Sequence, residues 1–211
     1  MSFFHSLNNF HIDVLREIGN IGAGNAATAL SKLLNKKIIM KVPDVRVASF
    51  NEMFELAGGA DQYVASVFLR MDGKVTGSIF FVLPVDQATL FVRQMTGIDD
   101  FSFDRPPYPE IALSAFQEAG NILASSYLNA LSDFIRLPIT PSVPEAVIDL
   151  FGAIISYGLL EISRESDQAI VIDTEIIDTA VNSGSIKGHI FLLPDPGSFR
   201  VLFDALGVGS E

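Results

Sequence analysis

The sequence predicts an α/β fold made as one pseudo-symmetric domain, and three observations predict it. The first is a pattern written twice at a fixed offset: Asp13-x-x-x-Glu17-x-x-Asn20 with Pro43 downstream, and Ser114-x-x-x-Glu118-x-x-Asn121 with Pro144, each matched pair 101 positions apart. The ungapped alignment also pairs Gly19 with Gly120, Ala23 with Ala124, Ser31 with Ser132 and Ile38 with Ile139. The second observation is that each copy opens with a long stretch of helical period and continues with alternating, strand-like residues. The third is size and composition: 211 residues, 49% of them hydrophobic and 18% charged, suffice for a shared core and are too apolar for a disordered chain.

In chain order, residues 9–35 read as a helix, with Ile12, Leu15, Gly19, Gly22, Ala23, Ala26, Leu30 and Leu33 on one apolar or small stripe. Three glycines within it (Gly19, Gly22, Gly24) cost about 1 kcal/mol each against alanine, and close approach of another backbone would offset that. The alternatives are a loop at Gly22–Gly24 or a phosphate cradle, although no preceding strand or P-loop pattern supports the latter. Lys37–Ser49 then alternates as strand. Tyr63–Met71 and Val75–Leu83 read as a hairpin turning at Met71-Asp72-Gly73-Lys74, and Asp86–Met95 as a helix stopped by Gly97.

The prolines Pro106, Pro107 and Pro109 make 99–109 a linker, dividing a first repeat (1–98) from a second (110–211). The second repeat begins with a helix over 110–136, whose stripe is Leu113, Phe116, Gly120, Leu123, Ala124, Tyr127, Leu131 and Phe134. Ala169–Ile177 and Ile186–Leu193 read as strands with a turn around Asn182-Ser183-Gly184, and Phe199–Leu206 as a closing helix. Here too the repeat persists, since Val75-Thr-Gly77-Ser-Ile79-Phe80 matches Ile186-Lys-Gly188-His-Ile190-Phe191. The stretch Pro144–Ser163 reads as an apolar, partly helical departure from symmetry, because its counterpart after Pro43 resembles strand and turn. The two long helices could pack on each other or on one sheet.

Composition narrows the function. No apolar run approaches the length of a membrane span, and the start Met1-Ser-Phe-Phe-His-Ser lacks the basic-then-apolar order of a signal peptide, so a cytoplasmic protein is expected. Zero cysteines remove disulfides, thiolate metal sites and thiol nucleophiles. A net charge of −11 disfavours nucleic acid, whose binding runs on Lys and Arg, and suits a basic protein partner as well as plain solubility.

Apolar identities between the copies follow from packing, whereas a duplicated Glu and Asn have no core reason to persist in register. Three residues apart on a helix, Glu17 and Asn20 share a face, as do Glu118 and Asn121. An amide is neither acid nor base near neutrality, but it can hold a water in a fixed line. A carboxylate can grip a cationic side chain of another molecule or act as a base. With no basic residue expected on that face and no second carboxylate beside Ser114, a phosphoryl group and its cation would have to come from a partner. His5, His11 and His189 are scattered, which disfavours a Ser-His-Asp triad or a zinc site. Glu17 and Glu118 each sit with their own Asn in matching surroundings, unlike the acid and base of a glycosidase.

On these residues the chain resembles the CheC/CheX/FliY family of bacterial chemotaxis phosphatases, whose motif is Asp or Ser, three residues, Glu, two residues, Asn, then a downstream Pro. The resemblance implies an α+β sandwich with pseudo-twofold symmetry, two long helices lying side by side over an antiparallel sheet. It implies dephosphorylation of the response regulator CheY, with Asn20 and Asn121 positioning the attacking water and Glu17 and Glu118 pairing with a lysine of the regulator. Asp13, Ser114, Pro43 and Pro144 would support the two sites. The regulator would supply the aspartyl phosphate and Mg²⁺, and the chain itself would need no cofactor. Two motifs, where CheX has one, and an end soon after the second repeat, where FliY continues into a switch domain, point to a two-site member.

Family members also bind the receptor deamidase CheD. For that partner the candidate surface is the apolar segment after Pro144, with Ala146, Val147, Leu150, Phe151, Ile154 and Ile155, which could equally be an ordinary buried helix. The competing functional class is a non-catalytic adaptor that docks on CheY or CheD and sequesters it.

Overall fold

The computed structural model describes residues 9–162, 168–179 and 184–207. Helix α1 (Asn9–Leu34) leads into β1 (Ile38–Lys41), β2 (Val45–Ser49) and a short helix α2 (Phe50–Leu56). The hairpin β3 (Tyr63–Gly73) and β4 (Gly77–Pro84) follows, then α3 (Val85–Thr96). The second half repeats the order with α4 (Glu110–Ile135), β5 (Ile139–Pro141), β6 (Glu145–Leu150), α5 (Phe151–Ile162), β7 (Gln168–Asp178), β8 (Ile186–Pro194) and α6 (Ser198–Ala205).

Every strand pairing is antiparallel. The centre of the sheet is β7-β8-β4-β3; β1 and β2 both pair with β7, while β5 and β6 both pair with β3. Each long helix therefore sends its strands to the hairpin of the other repeat. Strands alternate their side chains between faces, and the alternation assigns two layers. Val67, under Gly120, and Phe81, beside Phe116 at 6.3 Å between ring centroids, face α4. Phe68, Phe80 and Phe191 face the opposite side, where Phe151 of α5 packs on Phe191 at 5.4 Å and Phe54 of α2 on Phe151 at 5.6 Å.

Several expectations are corrected here. The segment after Pro43 is strand and helix, as is the segment after Pro144, so the expected asymmetry reduces to a longer α5. Helix α2 begins with a capping box: the Ser49 amide donates to Glu52 Oε2 at 2.7 Å and the Glu52 amide to Ser49 Oγ at 3.2 Å. Lys37–Ser49 is two strands, broken at Val42-Pro43-Asp44, because Pro43 has no amide hydrogen for a ladder. The β3–β4 turn falls at Lys74–Thr76 instead of Met71–Lys74, since Asp72 and Gly73 still pair, with Thr140 and Ile139 of β5. Helix α1 runs unbroken through Gly22–Gly24, which removes the loop and cradle readings. Leu33 and Phe134, equivalent positions in the last turns of the long helices, are 50% and 44% exposed and leave the core stripes. The turn residues Asn182 and Ser183 lie outside the described residues, as does Ser163.

The 99–109 segment is packed instead of free-running. Phe101 and Phe103 are buried, Phe103 sits edge-on to Phe116 at 5.7 Å, and Arg93 Nε donates to the Phe101 carbonyl at 2.6 Å.

Candidate functional site

The long helices α1 and α4 pack against one another and on the sheet, and their glycines explain how closely. A methyl on Gly22 would stand 3.0 Å from Tyr127 Cα, and one on Gly120 would stand 2.4 Å from Val67 Cγ2. Gly19 rests on Val42, Val45 and Ile172. A methyl on Gly24 would meet nothing within 4 Å, so that position has no packing reason to be glycine.

With Leu15, Ile18, Ala23, Ala26 and Leu30 buried against these neighbours, the opposite face of α1 turns outward. Asp13, Glu17 and Asn20 are exposed on it; on α4, Ser114 and Glu118 are exposed and Asn121 is half-buried. Each Glu and its Asn lie one turn apart on an open helix face, as expected. Other in-register identities have plain structural work. Ser31 Oγ accepts from the Ile38 amide at 3.0 Å and Ser132 Oγ from the Ile139 amide at 3.3 Å, so both hydroxyls tie the helix end to the next strand. Among the described residues neither Glu–Asn pair ties its helix to a strand in this way.

Pro43 and Pro144 stand in the equivalent breaks between β1 and β2 and between β5 and β6. The residue before each Glu ties its helix to that break, a feature missed from the sequence. Arg16 Nη1 contacts Asp13 Oδ1 at 2.8 Å and Arg16 Nη2 approaches Asp44 Oδ1 at 3.6 Å. Its counterpart Gln117 donates from Nε2 to the Pro144 carbonyl at 3.0 Å. The first face thus does carry a basic residue, contrary to expectation, but one engaged by two carboxylates. The copies differ again at the amides: Ser125 Oγ donates to Asn121 Oδ1 at 3.2 Å, whereas the matching position in the first copy is Gly24.

From Asp44 the charges continue inward. Arg46 Nη1 lies 3.2 Å from Asp44 Oδ2, Arg46 Nη2 lies 2.5 Å from Asp173 Oδ2, and Asp173 Oδ1 lies 2.9 Å from His189 Nδ1. Burial alone would raise the Asp173 carboxyl, but the His189 hydrogen bond and the charges of His189 and Arg46 outweigh it and hold Asp173 below its ordinary value. This His–Asp pair has no serine nucleophile in the neighbouring Ser185, whose hydroxyl is given to Glu175 at 2.5 Å. Among the described residues no cluster of three His, Asp or Glu is placed to hold a metal ion. No described helix is long and apolar enough to cross a membrane.

The segment after Pro144 divides by burial. Phe151 and Ile155 are fully buried, so as core residues of α5 they cannot form a docking surface. Val147 and Leu150 are 38% and 40% exposed, Ala146 and Ile154 are half-buried, and a cavity of about 270 Å³ opens between Phe68, Phe80, Glu145, Val147 and Ile154.

Comparison with known proteins places this geometry. The family model described as "CheC-like family" matches residues 10–47 and 111–148, the two stretches that carry the motifs. The CheY-P phosphatase CheC of Bacillus subtilis is 49% identical over 207 residues, covering 98% of this chain and 99% of that protein. The flagellar motor switch phosphatase FliY of the same organism is 30% identical over 171 residues, 81% of this chain and 41% of that protein. Among solved structures, FliY of Thermotoga maritima superposes with a TM-score of 0.72 at 22% identity, covering 97% of this chain and 99% of that one.

Proposed function

The chain belongs to the CheC-like family, and from that premise we propose that it is a protein phosphatase that hydrolyses the aspartyl phosphate of the response regulator CheY. The observation that carries the reading is the exposed Glu–Asn pair presented twice, on α1 and on α4, with no structural duty of the kind that explains Ser31 and Ser132.

In this mechanism the docked regulator brings the phosphoaspartate and its Mg²⁺. Glu17 or Glu118 forms a charge-assisted pair with a lysine beside the phosphoryl group, which fixes the two proteins in register. Asn20 or Asn121 then holds a water in line with the acyl–phosphate bond. The water oxygen bonds to phosphorus, the bond from phosphorus to the aspartyl oxygen breaks with its electron pair staying on the regulator's carboxylate, and inorganic phosphate departs with the protons of the water. The amide takes no proton; its contribution is position.

CheD is the proposed second partner, docking on the exposed part of the β6–α5 segment, namely Ala146, Val147, Leu150 and Ile154. Leu150→Ser should weaken CheD capture while leaving phosphate release intact, and unchanged capture would remove this surface from consideration.

The phosphatase reading is tested by phosphate release from a Mg²⁺-loaded, phosphorylated CheY. The protein should accelerate release. Asn20→Ala/Asn121→Ala should abolish the acceleration while binding of phosphorylated CheY persists. Retained acceleration in the double variant would overturn the assignment, and binding without any acceleration by the parent protein would leave a sequestering adaptor.

A further inference from the structure

We propose that Arg16 and Gln117 are positioning residues that set the two sites by different physics, one ionic and one neutral; this rests on the phosphatase reading above. They occupy the same place in the two copies, directly before Glu17 and Glu118. Each spans from its helix to the Pro-containing break in the strands. A helix face alone fixes Glu and Asn relative to each other; apolar packing such as Gly19 on Val42 brings the helix to the break, and a polar tie with directional geometry sets the register between the two. Arg16 makes the join through side chains, to Asp13 at 2.8 Å and Asp44 at 3.6 Å, and Asp44 is held in turn by Arg46 at 3.2 Å. Gln117 makes it through one hydrogen bond of 3.0 Å to the Pro144 carbonyl, and Val147 stands where the first copy has Arg46.

Two consequences distinguish the copies. Arg16 also occupies the carboxylates of Asp13 and Asp44, which leaves Glu17 as the uncommitted acid for a partner's lysine. The second copy has Ser114 in place of Asp13 and Glu145 in place of Asp44, so its face carries one carboxylate fewer and has no arginine at the place of Arg16. The Arg16 pairs are 39–68% exposed, so salt screens them, whereas the amide-to-carbonyl bond of Gln117 does not depend on ionic strength.

The test uses the full chain with one site silenced: Asn121→Ala leaves the first site, Asn20→Ala the second. Arg16→Met in the first-site protein should lower kcat about tenfold with little change in KM, as expected when a reacting group is displaced by an ångström or less. Arg16→Gln should restore most of that rate, because glutamine can copy the neutral tie of the second site. Gln117→Met should lower kcat comparably in the second-site protein. Raising salt should slow the first-site protein more than the second-site protein, and Arg16→Gln should remove the excess.

An Arg16→Met rate within twofold of its parent overturns the proposal, as does an Arg16→Gln rate as low as that of Arg16→Met. Equal salt dependence of the two single-site proteins overturns the ionic–neutral distinction. Activity surviving in Asn20→Ala/Asn121→Ala would instead refute the role of the two asparagines, and no acceleration by the parent protein would refute the phosphatase reading itself, so the failures are separable.

Discussion

Phe80 and Phe191 hold the same place in the two repeats and are direct partners in the β4–β8 ladder. The pseudo-twofold relation therefore passes between them at the middle of the sheet. Both lie on the face covered by α2 and α5, where Phe151 completes the contact at 5.4 Å from Phe191. Around this axis the strands that follow each long helix cross to the other repeat's hairpin, so neither half owns a finished sheet.

That exchange predicts a single cooperative unfolding transition. Loss of β1 and β2 from β7, or of β5 and β6 from β3, uncovers the hairpin of the opposite repeat, so the halves cannot melt independently. Urea denaturation followed by far-ultraviolet circular dichroism and by tyrosine fluorescence should give coincident curves. Two separated midpoints would mean that the repeats behave as distinct domains.

The long helices, the central hairpins and the exposed placing of each Glu–Asn pair on its helix were legible because each declares itself within a short window, as period, turn residues or a repeated motif. The crossing of strands was not, since Val45 pairs with Ile172 and Val67 with Ala146, distances along the chain that periodicity does not reach. Helix α2 was missed although Ser49-Phe-Asn-Glu52 is a capping-box signal; its seven residues are too few to show a helical period. The Arg16 tie escaped for the reason the crossing did, because its partner Asp44 lies beyond the helix. Leu33 and Phe134 keep the period of their stripes, and only the packed structure tells that their last turns are exposed.

Gly22 and Gly24 of α1 and Gly120 of α4 should not respond with one sign. Gly120→Ala forces a methyl to 2.4 Å from Val67 and Gly22→Ala to 3.0 Å from the Tyr127 backbone, so each should destabilise by about 1–3 kcal/mol. Gly24→Ala meets nothing and lies within a helix, so it should stabilise by about 0.5–1 kcal/mol. Midpoints of urea unfolding decide it; a uniform loss in all three variants would contradict the packing described.

Tyr127 should impose an alkaline limit on stability. It is 3% exposed and its hydroxyl has no hydrogen-bond partner among the described residues, and burial pushes its ionisation well above the ordinary range. The unfolded chain ionises a tyrosine near pH 10, while folded Tyr127 stays protonated. Its contribution is thus complete below about pH 10 and is lost as pH rises from there toward the folded value. Tyr127→Phe should change stability by less than about 1 kcal/mol at pH 7, because the lost hydroxyl was unsatisfied, and should flatten the decline above pH 10. An unaltered alkaline slope would show that this tyrosine ionises as freely folded as unfolded.

Asp173 should act at the other end of the scale. It joins β7 to Arg46 of β2 at 2.5 Å and to His189 of β8 at 2.9 Å, so one carboxylate fastens three strands. Because its folded value is held below that of the unfolded chain, the stabilisation is present above about pH 4 and is lost as pH falls through the folded value. Asp173→Asn removes the charge and leaves Arg46 and His189 without it, which should cost about 1–3 kcal/mol at pH 7. The gap between parent and variant should close on acidification, since protonated Asp173 resembles the amide. If the gap instead stayed constant from pH 7 to pH 3, the loss would lie in packing rather than charge. The same variant separates structure from catalysis: the Asp173 amide still donates to the Asp44 carbonyl at 2.9 Å, but the Asp173 carboxylate holds the Asp44 carboxylate through Arg46, so the first-site rate should fall with the Arg16 tie while the second-site rate holds.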